Sequence, residues 1–154
     1  MYFIVEEGAI TNKNTEIVKL LIDNGSDINK EDGSLGWRPI HYACIYDIEK
    51  IILYLIENNV EVIMLLIKLN GLNFKKQTAL HLAVSKNKQN STKLLLSTQK
   101  IDINLVDEYG QNALIKGCST NSDNSCLLLL EHAEINVNTQ DIHGNTALHY
   151  TMVR

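Results

Sequence analysis

The sequence has no run of about 18 apolar residues, the length a helix needs to cross a bilayer, so no membrane insertion is expected. Its longest apolar stretch, Val62 to Leu69, is interrupted by Lys68. There is no basic excess. Fourteen Lys and Arg stand against 18 Asp and Glu, a net charge of −4, which gives no electrostatic case for nucleic acid or an anionic membrane. The three cysteines, Cys44, Cys118 and Cys126, form no CxxC pair. Met1 to Gly8 lacks the basic start, apolar core and small-residue cleavage site of a signal peptide. An odd cysteine count without a secretion signal points to reduced thiols and a cytoplasmic setting. Catalytic signatures are missing too: there is no phosphate loop, Ser/His/Asp order or dinucleotide fingerprint. Asp27 to Asp32 superficially resembles a calcium loop, but it has no Gly at the sixth position and no closing Glu at the twelfth. The expectation is a protein that is not an enzyme and carries no cofactor or metal.

What the sequence does have is a short phrase that returns. Thr78-Ala79-Leu80-His81-Leu82-Ala83 is repeated as Thr146-Ala147-Leu148-His149-Tyr150-Thr151. It is recognisable as Arg38-Pro39-Ile40-His41-Tyr42-Ala43, and faintly as Asn112-Ala113-Leu114-Ile115-Lys116-Gly117. The starts at 38, 78, 112 and 146 lie 40, 34 and 34 residues apart. A period in the thirties points to stacked repeats, each too small to bury its own apolar faces. The 154 residues, 45% hydrophobic and 21% charged, suffice for one domain with a core.

Within the unit that opens at Thr78, residues 79–86 read as a short helix with Thr78 as its N-cap. Residues 91–98, with Leu94-Leu95-Leu96, read as a second helix. Residues 101–110 alternate apolar and polar and end in Asp107-Glu108-Tyr109-Gly110, which predicts a protruding hairpin with Gly110 at positive φ. The same frame predicts outer helices at 16–25, with Gly25 as the residue that stops the helix, and at 48–58. The predicted units are 4–37, 38–77, 78–111, 112–145 and a partial unit 146–154. The helix expected near Phe3 to Asn12 is degenerate. Seven surplus residues, Ile63 to Leu69, either continue the preceding helix by two turns or are the remnant of another outer helix. Lys76 stands where the frame expects Gly, and Ile115 where it expects His. High Asn content reads as compositional bias. The frame stops inside a first helix at Arg154, which reads as a fragment or a truncated member of a longer family.

These phrases, with their Leu-Leu helices and Asp-x-x-Gly turns, resemble the ankyrin repeat family over residues 14–154. The resemblance implies an all-α ankyrin-repeat solenoid of stacked helix-turn-helix units with short β-hairpin loops. It also implies that His41, His81 and His149 bridge neighbouring backbones by hydrogen bonds. One histidine per repeat, about a helix diameter from the next, does not suit zinc, whose ligands converge within about 2.1 Å of the metal. Cys44 and Cys118 share one repeat position, where buried structural thiols are expected.

The aromatics are the candidate contacts. Of nine (one Trp, six Tyr, two Phe), Trp37, Phe74 and Tyr109 fall on predicted hairpin tips. Tyr42 and Tyr150 occupy the fifth repeat position and Tyr46 the ninth, which the family resemblance places along the concave face. Tyr42 and Tyr150 can equally pack under the hairpins. The predicted function is a protein-interaction scaffold whose partner, another protein, meets Trp37, Tyr42, Tyr46, Phe74, Tyr109, Gln111 and His143. The alternative is a regulatory or targeting segment of a larger enzyme or channel. The apolar insertion Ile63 to Leu69 is a candidate for self-association.

Overall fold

Thr78 does what its type and place predict. Its φ of −83° and ψ of 168° are extended, and its Oγ1 accepts from the backbone N–H of His81. The backbone N–H of Thr78 in turn donates to His81 Nδ1 at 3.2 Å. This is a capping box with histidine in the place usually held by Glu or Gln. The same return bond runs from Arg38 N–H to His41 Nδ1 and from Thr146 N–H to His149 Nδ1. Pro39 takes the first helical position, where its missing N–H costs nothing.

The computed structural model describes residues 14–57 and 69–153. Eight helices lie among them: α1 (Thr15–Asp23), α2 (Pro39–Ile45), α3 (Glu49–Glu57), α4 (Ala79–Ser85), α5 (Gln89–Ser97), α6 (Ala113–Ser119), α7 (Asp123–Leu130) and α8 (Ala147–Met152). They form two layers. The inner helices α2, α4, α6 and α8 pack side by side, and the outer helices α1, α3, α5 and α7 do the same behind them. The first inner helix expected near Phe3 to Asn12 lies outside the described residues. So does all of the Ile63 to Leu69 insertion except Leu69, which is buried against the stack.

The core runs the length of the stack between the layers. Ile51, Ile52, Leu80, Leu95, Ile115 and Leu129 are fully buried in it. Small residues let the inner helices approach: Ala43 and Ala83 are completely covered. Their counterpart Gly117 has to be smaller still. A Cβ there would lie 2.5 Å from Cys126 Sγ and 2.6 Å from Val84 Cγ1. All three cysteines are buried, as their repeat positions suggested for Cys44 and Cys118. Helix α1 stops in a Schellman turn, with Gly25 N–H bonding Ile22 C=O and Ser26 N–H bonding Leu21 C=O. Gly25 takes the φ of 89° that this turn requires.

Hydrogen bonds tie the stack together in four places, the first within a unit, from an inner helix to the chain that leads into the next one, and the other three between units. His41 Nε2 and His81 Nε2 meet the carbonyls of Gly71 and Gln111 at 3.1 and 3.0 Å. Because each Nδ1 accepts a backbone N–H, each Nε2 carries the proton and donates. Asp47 and Asn87, both at positive φ, accept from the N–H of Ser91 and Ser125 on the next outer helix. Asn70 and Asn104 make a side-chain ladder. Their Oδ1 atoms accept from Asp102 and Asn136 N–H, and their Nδ2 atoms donate to Lys100 and Glu134 C=O. Asparagine content is therefore structural here, not the compositional bias expected of it. Finally, the turn tips are bonded to one another: Phe74, Glu108 and Ile142 N–H donate to Leu35, Lys75 and Tyr109 C=O.

Ile115 removes the bridging histidine from α6, and the preceding residue compensates. Asn112 caps α6 through its Oδ1, and its Nδ2 reaches Asn136 C=O and Thr139 Oγ1, both at 3.1 Å. The bond from the start of the inner helix to the chain ahead of the next one survives with a different donor.

Candidate partner-binding surface

Each protruding turn is built around one acceptor. Asp32 Oδ1 accepts from the N–H groups of Ser34, Leu35 and Gly36. Asp107 and Asp141 do the same for Tyr109 and Gln111, and for His143 and Asn145. Asn73 takes this role in the second turn. One backbone bond closes the base of each turn, and no strand forms among the described residues, so the hairpins are tight turns rather than ladders. Glycine at positive φ is the fourth residue of the Asp107 and Asp141 turns and, after one extra residue, the fifth of the Asp32 turn; in the second turn, Lys76 holds φ 55°. A side chain in that left-handed region is strained by about 1–2 kcal/mol.

The other carboxylate oxygen is held by the fifth repeat position, on the following inner helix. Tyr42 donates to Asp32 Oδ2 at 2.5 Å and Tyr150 to Asp141 Oδ2 at 2.6 Å. Lys116 Nζ lies 3.3 Å from Asp107 Oδ2. Where the turn has neutral Asn73, the fifth position is Leu82. Burial disfavours the charged form of Asp32, but the Tyr42 hydroxyl and the turn N–H groups outweigh it and hold the pKa at about 2. Asp141 is lowered in the same way, burial opposing and the Tyr150 bond leading the stabilisation. The same bond, helped by burial, raises Tyr150.

This geometry separates the candidate contacts. Tyr42 is 5% exposed and Gln111 8% exposed, so both are corrected from contacts to supports. Tyr42 ties the first turn to α2. Gln111 N–H bonds Asp107, and its side chain reaches Tyr150 Oη and Lys116 Nζ. Trp37 is half-buried, with its ring edge-to-face on Tyr42 at 4.9 Å, so it is a wall rather than a free anchor. Tyr46, Phe74, Tyr109 and His143 are exposed. Tyr109 is steadied by Lys116 Nζ, 5.6 Å from its ring centroid. Two residues not singled out in the sequence join this surface: Leu35 and Ile142, at the tips of the first and fourth turns. Leu35 takes the frame position of Tyr109 and Ile142 that of Phe74, a signal that a search for aromatics alone passes over.

Two layers of short helices, joined by bonded turns and repeating at a fixed frame, define a stacked-repeat protein. The family model for Ankyrin repeats (3 copies) matches residues 8–64 and 57–141. The chain belongs to the ankyrin repeat family, whose repeats generally serve as protein–protein interaction modules. Comparison with curated proteins finds no significant match. No helix among the described residues is long and apolar enough to cross a membrane.

Proposed function

We propose that this chain is a non-catalytic interaction scaffold that presents its turn tips and the adjoining ends of its inner helices to another protein. One observation carries the reading. Consecutive tips expose Leu35, Phe74, Tyr109 and Ile142 by 43, 62, 46 and 62%, and backbone bonds hold those tips in register. An apolar row on a fixed frame loses little conformational freedom when it docks. Large apolar anchors in such rows carry most of an interface's energy. The buried, reduced thiols fit a reducing compartment and support a cytoplasmic setting.

The test is a double substitution, Phe74→Ala with Tyr109→Ala, set beside Leu127→Ala, which removes a residue 61% exposed on the outer helix α7. Partners are captured by cross-linking and identified by mass spectrometry. The tip variant should lose a wild-type partner by at least about tenfold with an unchanged melting temperature, and Leu127→Ala should keep it. Equal capture by all three proteins would place the binding surface elsewhere.

A further inference from the structure

We propose that the segment docked between the first two turn tips is acidic: an extended peptide with one apolar side chain against Leu35, Trp37 and Phe74 and carboxylates against Lys75 and Lys76. The proposal rests on the reading of the tips as a protein-binding surface and names the chemistry of what they bind. A groove of about 330 Å³ opens there, with Ser34, Asn73, Lys75 and Gln77 completing its lining. This is room for one large side chain, at the small end of the usual range for such sites. Its depth depends on Gly36. A Cβ at that position would lie 2.4 Å from Phe74 Cδ1, so the Phe74 ring lies over bare backbone and forms one wall.

The charges at this end of the surface are segregated. Lys75 and Lys76 are exposed at the second tip. Neither has an ion-pair partner among the described residues. The acids nearby are otherwise engaged. Asp32 turns its carboxylate inward to three N–H groups and Tyr42. Asp107 is fully buried beside Lys116. Glu31 pairs with Arg38. Glu108, on the third tip, is an exposed acid beside this set, its N–H bonded to Lys75 C=O. On a chain of net charge −4, the unpaired lysines make this tip a local cationic rim around an apolar groove. Such a rim selects acidic partners and speeds their encounter more than it deepens affinity.

Trp37 is the sole tryptophan of the chain and lines the groove, so its emission reports occupancy directly. The probes are two synthetic peptides of equal length with the same central Leu-Phe anchor, one flanked by Glu and Asp and the other by Lys, and an oligothymidylate of matching charge. The acidic peptide should shift Trp37 emission saturably, bind more weakly as salt rises, and lose at least about tenfold in the Lys75→Glu, Lys76→Glu variant. Equal or better binding of the Lys-flanked peptide or the oligonucleotide overturns the proposal. So does the absence of any saturable response up to about 1 mM. If Phe74→Ala weakens both peptides alike while charge reversal changes neither, the acidic preference fails and the protein-binding surface stands.

Discussion

Replacing His81 with Ile should cost far more than the same change at His149, although the two histidines occupy equivalent positions in the sequence. His81 is 2% exposed; its Nδ1 accepts the N–H of Thr78 and its Nε2 donates to Gln111 C=O. Isoleucine leaves the buried Thr78 N–H without that acceptor, a loss of about 1–3 kcal/mol, and removes the bond from α4 to Gln111 at the base of the following turn, worth about 1. Gln111 C=O is still satisfied by Asp107 N–H, so no second orphan is created. The total is about 2–4 kcal/mol. For a chain of this size that lowers the melting temperature by roughly 5–15 °C. His149 is exposed on the last described helix, and its recorded bonds are to Thr146 alone, so His149→Ile should cost under about 1 kcal/mol. The fourth unit also suggests a rescue. Thr78→Asn, added to His81→Ile, imports the Asn112–Ile115 pair, whose amide reaches the next turn. It should restore about 1 kcal/mol. Urea and thermal unfolding of the three variants check this. Equal costs at 81 and 149, or no recovery in the double variant, would refute the assignment of His81 as a bridge from α4 to the turn that follows it.

Two further outcomes follow from groups held in unusual states. Burial, the leading cause, takes the His41 pKa from 6.5 down to about 4, and burial lowers His81 as well. Unfolded chains protonate these rings near pH 6.5, so stability is full above that value and falls as pH drops toward 4. For His41 alone the loss is about 3 kcal/mol. Asp32, held at about 2, gives up its contribution only below the ordinary carboxylate value of 3.8, so the two windows are distinct. A urea midpoint that stays level from pH 7 to 4.5 would contradict this. Lys76→Gly should raise stability by about 0.5–1 kcal/mol, since relief of the left-handed strain exceeds the extra chain entropy of glycine. A lower midpoint in that variant would mean that the turn is not strained at Lys76.

The repeat, the helix caps and the turn acids were legible because each is a local rule restated at a fixed interval; the bridges of His41 and His81 followed only from the family resemblance, and His149, expected to bridge with them, bonds Thr146 instead. Thr78 and His81 are three residues apart, and their bond follows from helix geometry. The ladder of Asn70 and Asn104 was not legible. Its partners are backbone atoms about thirty residues away, and backbone atoms have no sequence signature. Tyr42 was misplaced for a related reason. Its hydroxyl is claimed by Asp32, ten residues earlier in the preceding turn, and the match of Tyr or Lys with Asp and of Leu with Asn emerges only when turn and helix are seen together. Leu35 and Ile142 went unnoticed because exposure of one apolar residue is ordinary. It gains meaning as a row only once the tips are known to be bonded side by side.

The bonds that tie the stack together join residues from 24 to 47 positions apart. This gives the stack a mechanical character of its own. Among the described residues nothing clamps the first turn to the last, so a load applied at the two ends is carried by neighbouring contacts in series. Such a chain yields by peeling, one unit at a time, rather than by shearing everywhere at once. Each unit that detaches lengthens the molecule and leaves the tips behind it bonded in register. A partner gripping the first two tips would keep its hold while the far end is drawn out.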